Sequence, residues 1–167
     1  MLSGASFSSL MIHLTRMGLT CNREGTEKVL PAAGGRASVP SMNEAETIAA
    51  CGESGIRRMV AAFYRRVRSD DLLGPMYPAD EWEAAENRLA DFLLFRLGAS
   101  TRYTETRGHP RLRMRHMPFK IGAAERDRWL ELMALAMHDA EIPAAARGFL
   151  DPFFASTADF MRNQPDR

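Results

Sequence analysis

The chain has 167 residues, 46% of them hydrophobic and 26% charged, a globular balance with room for one core. A formal net charge of +1 provides no global attraction to nucleic acid or an anionic membrane, so neither is an expected partner. The two cysteines, Cys21 and Cys51, lack a CxxC spacing. They argue against a disulfide framework or a Cys-rich zinc site and suit a reducing, cytoplasmic compartment.

No stretch approaches the ~20 apolar residues of a membrane-spanning helix. Residues 9–21 are mildly apolar, but His13 and Arg16 interrupt them and no charged region precedes them, so no signal peptide is expected. Residues 1–45 are rich in Gly, Ser, Ala and Pro and show no hydrophobic period. Such a segment buries too little apolar surface to offset its ordering entropy, and a disordered extension is predicted there.

From Ile48 onward the pattern is helical, and one domain is predicted over 46–164 with a short tail at 165–167. Ile56, Met59, Val60, Phe63 and Val67 follow helical spacing, with Arg57, Arg58, Arg65 and Arg66 on the other side. The helix should end near Ser69-Asp70-Asp71. Two prolines and a glycine in residues 72–78 predict a corner. Asp80 with Glu83 has the spacing of a capping box. Trp82, Ala85, Leu89, Phe92 and Leu93 form the next apolar stripe, which Gly98 should close. Residues 99–111 read as a loop, and a short segment follows at 111–117. Ile121 to Ala140 predicts an amphipathic helix, and 143–162 a last one with a break or kink at Pro152. The expectation is an all-α domain of four or five helices, without repeats.

The candidate chemistry centres on His116. Arg111, Arg113 and Arg115 precede it and Lys120 follows, interleaved with Leu112, Met114, Met117 and Phe119. A neutral imidazole is a common iron ligand, and guanidinium groups bind carboxylates well. On these residues alone, a solvated basic stretch with apolar anchors is the first reading and a ligand the sharper one. His109, in Gly108-His109-Pro110, reads as a turn residue, with a surface or propionate contact expected. Glu81, Glu83 and Glu86 read as a solvated face. No phosphate-binding glycine loop, HExxH helix or nucleophile elbow is present.

Four groups of residues, in order, resemble the group II truncated haemoglobins. Arg107 through Phe119, with its Arg-His-x-Pro-Phe stretch, is similar to that family's proximal signature. Phe63-Tyr64 resembles the end of its first long helix. Tyr77-Pro78 resembles its haem corner. Glu125 through Leu130 resembles the helix whose tryptophan overlooks the distal pocket. Tyr103 and Glu105 upstream of Gly108-His109-Pro110 also fit.

The resemblance implies a two-on-two helical sandwich around one haem b. It implies His116 as proximal iron ligand and Tyr64 and Trp129 as distal hydrogen-bond donors. Tyr77, Ala85, Leu89, Phe92, Leu93, Phe119 and Met133 would line the haem pocket, and Arg88 and Arg115 would meet the propionates. Ala85 stands where many globins place a distal histidine. Its side chain neither ligates iron nor donates a hydrogen bond.

The implied function is binding of oxygen, carbon monoxide or nitric oxide. Nitric oxide dioxygenase or peroxidase-type activity is a natural extension. Both need electrons, and the chain shows no flavin or nicotinamide site, so a separate reductase would be required. The rival readings are a haem-based sensor or partner-binding module whose output arm is the N-terminal extension, and a helical scaffold without haem.

Overall fold

The structure, a computed structural model, describes residues 42–165. The extension expected over 1–45, and with it the proposed output arm, lies outside the described residues except for 42–45. Among the described residues six α-helices are present: α1 (Glu44–Val67), α2 (Trp82–Arg96), α3 (Arg102–Arg107), α4 (Leu112–His116), α5 (Ala123–Asp139) and α6 (Ala144–Met161). No strand occurs among the described residues, and no described helix is long and apolar enough to cross a membrane. The count exceeds the expected four or five because α3 and α4 are separate short helices.

Helix α1 starts two residues ahead of the expected domain boundary because Asn43 caps it. Asn43 Oδ1 accepts from the Glu46 amide at 2.9 Å, and Glu46 Oε2 accepts from the Asn43 amide at 2.8 Å. Gly52, at φ 66° and ψ 162°, breaks the helix into two pieces, a conformation that costs glycine little. Ile56, Met59, Val60, Phe63 and Val67 then lie fully buried along one face. That face serves two neighbours, since α1 packs on both α2 and α5. With α6 against α5 and α1, the helices form two pairs, α1–α2 and α5–α6, one laid on the other.

Helix α2 lacks the expected Asp80–Glu83 capping box. It starts at Trp82 with Glu81 at the cap and no side-chain cap hydrogen bond. Its C-terminus ends as the sequence predicts. Gly98 has φ 73°; its amide donates to the Phe95 carbonyl and that of Ala99 to the Leu94 carbonyl, a Schellman motif.

The expected loop at 99–111 contains α3. Composition hid it, because threonine is a poor helix former. Here Thr104 and Thr106 return their hydroxyl protons to the carbonyls of Thr101 and Arg102. Tyr103 is buried between Phe92 and Phe95 and anchors the turn to α2.

Of the break or kink expected at Pro152, the break is absent, and α6 continues through it. The carbonyl that loses its partner belongs to Gly148, an exposed residue whose backbone water can reach.

Asp70 ties the corner after α1 to α5. Its side chain is buried, with Oδ1 accepting from the amides of Leu72 (3.1 Å) and Leu73 (2.8 Å). Oδ2 accepts from Arg128 Nε at 2.6 Å. Burial opposes the charge, but the Leu73 amide, Arg128 and the Leu72 amide together hold this carboxyl below the usual range.

Asp70→Ala is expected to lower stability by about 1.5–3 kcal/mol in urea unfolding, the range for hydrogen bonds to a charged group. A carboxyl with a lowered folded-state pKa contributes fully above its unfolded value, about pH 4, and loses that contribution as pH falls further. The gap between wild type and Asp70→Ala should therefore narrow below about pH 4. A gap that stays constant would show that the carboxylate charge is not what holds the corner.

Candidate functional site

A cavity of about 580 Å³ opens between the two helix pairs, within the usual range for a small-molecule or cofactor site. Each wall comes from a different element. Helix α1 supplies Tyr64, and the corner supplies Leu73, Met76 and Tyr77. Helix α2 supplies Ala85, Arg88, Leu89, Phe92 and Leu93, which recur at the helical period. His116 and Arg115 come from α4, Phe119 from the loop beyond it, Trp129 from α5, and Phe153 and Phe154 from α6.

One tautomer of the neutral His116 ring fits its surroundings. Its Nδ1 lies 2.7 Å from the Leu112 carbonyl oxygen. A carbonyl can only accept, so Nδ1 carries the proton and Nε2 keeps its lone pair. The bond spans one turn of α4.

Helix α4 is only five residues long, and its first flanking residue, Arg111, sits at φ 43°. So short a helix needs outside support. Asn163, just after α6, provides it: its side-chain amide donates to the carbonyls of Phe119 (2.7 Å) and His116 (3.3 Å). Its Oδ1 accepts from the Ile121 amide at 3.0 Å. The sequence analysis missed Asn163, because a lone asparagine near a C-terminus carries no signal of its own.

Aromatic rings with polar edges meet at another part of the cavity. Tyr64 packs edge-on against Tyr77 with centroids 5.7 Å apart. Trp129 is held between Phe63 (5.2 Å) and Phe154 (5.6 Å). Burial, then the neighbouring Tyr77 hydroxyl, push the Tyr64 phenol well above its ordinary range, so it remains a protonated donor. Burial likewise raises Tyr77.

Arginines stand at the rim. Arg115 is fixed by donating from Nε to the Pro110 carbonyl (2.9 Å) and from Nη2 to the Arg107 carbonyl (3.1 Å). Arg88 pairs with Glu81 at 3.1 Å. Arg107 also borders the cavity, and the sequence reading had not singled it out. A polar cleft of about 520 Å³, lined also by Asn87, Asp91, Arg102 and Thr106, adjoins this rim and shares Arg88, Arg107 and Arg115 with it.

Of the residues expected at the site, the structure gathers all but one. Met133 is fully buried one turn beyond Trp129 on α5 and does not border the cavity. His109 is exposed, with Nδ1 accepting from the Arg111 amide at 3.2 Å, outside the cavity.

These residues fit a haem. Among the described residues no cluster of three or more His, Cys, Asp or Glu could hold a bare metal ion. An iron at the single imidazole would have to bring its other donors with it, as a porphyrin does. The cavity is wide and mostly apolar, and its cationic rim suits a group with two carboxylates.

Comparison with known proteins points the same way. Residues 48–163 match the family model described as "Bacterial-like globin". The chain is 40% identical over 117 residues to the group 2 truncated haemoglobin YjbI of Bacillus subtilis (strain 168), covering 70% of this chain and 88% of that protein. It aligns with the solved haemoglobin of the phototrophic bacterium Chloroflexus aurantiacus at 42% identity and a TM-score of 0.68, covering 71% of this chain and 98% of the other. It also aligns with a truncated oxygen-avid haemoglobin from Bacillus subtilis at 38% identity and a TM-score of 0.66, covering 70% and 98%. The chain therefore belongs to the bacterial-like globins and, within them, to the group II truncated haemoglobins, haem-binding proteins with a two-on-two helical fold.

Proposed function

We propose that this chain holds one haem b in the cavity, with His116 Nε2 on the iron, and binds oxygen or a similar diatomic gas such as carbon monoxide or nitric oxide. The observation that carries the reading is the His116 tether, which leaves one lone pair on a neutral imidazole bordering a large apolar cavity. When bound, haem supplies an iron that can take a gas ligand and exchange single electrons. No CxxCH motif is present to attach it covalently, which favours haem b.

The chain's residues divide the remaining work. His116 donates its lone pair, and the Leu112 carbonyl sets the ring's orientation and raises its basicity. Tyr64 and Trp129 supply the donors that favour a ligand carrying partial negative charge, in a site walled by aromatic carbon. Tyr77 packs against Tyr64 and limits where its ring can go. Ala85 adds neither donor nor bulk, so the polar contacts fall to the aromatic residues. Arg88 and Arg115 offer guanidinium groups to the propionates. Oxygen is the gas favoured, because the distal donors suit a polar ligand and one solved relative is described as oxygen-avid. Nitric oxide dioxygenase or peroxidase-type turnover would need electrons from a separate reductase. A cytoplasmic setting accords with Cys51, which forms no disulfide among the described residues.

Tyr64→Phe and Trp129→Phe are each expected to speed oxygen dissociation in stopped-flow displacement by carbon monoxide. A lost hydrogen bond of ~1–2 kcal/mol corresponds to roughly five- to thirtyfold. Unchanged rates in both variants would remove the distal role.

Because Tyr64 keeps its proton beyond its ordinary range, the wild-type oxygen dissociation rate should stay flat from about pH 7 to about pH 9.5. A rise across that window that disappears in Tyr64→Phe would show the phenol deprotonating.

A further inference from the structure

We propose that the surface formed by residues 106–124 together with Phe160 is the docking face for an acidic one-electron carrier protein. This rests on the haem-binding reading above and names the partner that its redox extension needs.

Two independent observations carry it. The first is charge. Between Glu105 and Glu125 the chain has five cations, Arg107, Arg111, Arg113, Arg115 and Lys120, and no carboxylate. The whole chain is only +1, so the remainder is net negative and the positive charge is concentrated here. All five are exposed. None forms an ion pair with a described residue, whereas most arginines elsewhere on the described chain do.

The second observation is apolar exposure. Met114 and Met117, on either side of His116, are 57% and 59% exposed, and Phe160 is 57% exposed. Phe160 belongs to the same face. Arg113 lies 5.5 Å over its ring and donates to its carbonyl at 2.7 Å. Apolar side chains among unpaired cations are costly to leave in water and have few uses within the fold. They suit a transient partner, which the cations steer in at long range and the methionines and phenylalanine then contact.

The location gives the contact a purpose. Arg107 and Arg115 border the cavity as well as this surface, so a docked partner reaches the cavity rim. The electron accounting is one for one. The donor would lose one electron, and a haem held at His116 would take it up at its iron. The complementary partner is acidic, because a basic or neutral carrier would leave Arg107, Arg111, Arg113 and Lys120, none of which is given to the propionates, without a counter-charge.

The test uses the full haem-loaded chain and an oxidised acidic [2Fe–2S] ferredoxin in calorimetric titration at low ionic strength. Wild type is expected to bind and to weaken as salt is added. Arg111→Glu with Lys120→Glu, neither of which is assigned to the haem site, should bind at least about tenfold more weakly. Reduction by dithionite and the carbon monoxide spectrum should be unchanged in the variant, which separates this proposal from the haem-binding reading. A chain that shows that spectrum but binds no ferredoxin at low salt overturns the docking face alone. Equal affinity in the charge-reversed variant also overturns it. So does self-association of wild type that Met114→Gln with Met117→Gln abolishes, because the face would then belong to a second copy of the chain.

Discussion

The hydrogen bond from His116 Nδ1 to the Leu112 carbonyl is the constraint on which the site depends. A free imidazole exchanges its proton between two nitrogens and turns about two torsions. Here one 2.7 Å bond fixes both the tautomer and the ring plane. That bond exists only while Leu112–His116 is helical, and five residues do not hold a helix alone. The supports are polar and tie the helix to segments outside it: Asn163 holds the loop that follows, and Arg115 within the helix donates to the Pro110 and Arg107 carbonyls before it. The residue proposed to bind iron is thus held by backbone carbonyls and one asparagine more than by a hydrophobic core.

The other side of the cavity is organised differently. Tyr64 lies on the deeply buried face of α1, and Trp129 is clamped by Phe63 and Phe154, so packing fixes these donors. The polar exception is the Asp70–Arg128 pair. It joins the corner that leads to Tyr77 with the α5 residue directly before Trp129. Two segments far apart in sequence are registered by one buried carboxylate. Burial also keeps the Tyr64 phenol protonated, the state that its proposed donor role requires.

The sequence made the long elements legible because α1, α2 and α5 each bury one stripe, and a stripe repeats at the helical period. The four groups of residues that resemble the family also appear around one cavity, from four separate elements. What stayed hidden depends on contacts that no local pattern encodes. Helix α3 exists because Tyr103 is taken up by Phe92 and Phe95, against its threonine content. The Asp80–Glu83 spacing looked like a cap, yet the chain enters α2 at Glu81 without one, while Asn43–Glu46 forms a real box. Pro152 suggests a break or kink in sequence, and that α6 stays continuous depends on the exposure of Gly148, which no local pattern encodes. Met133 shares a helix face with Trp129, but helical spacing identifies a face and not where the cavity ends.

The most direct measurement of the central claim is the absorption spectrum of purified wild type and His116→Ala in ferric, dithionite-reduced and carbon monoxide-bound states. The account predicts a sharp Soret band in wild type that shifts on reduction and again with carbon monoxide, and loss of that pattern in His116→Ala. A wild-type chain that takes up no haem on titration, or a His116→Ala spectrum unchanged in all three states, would contradict it.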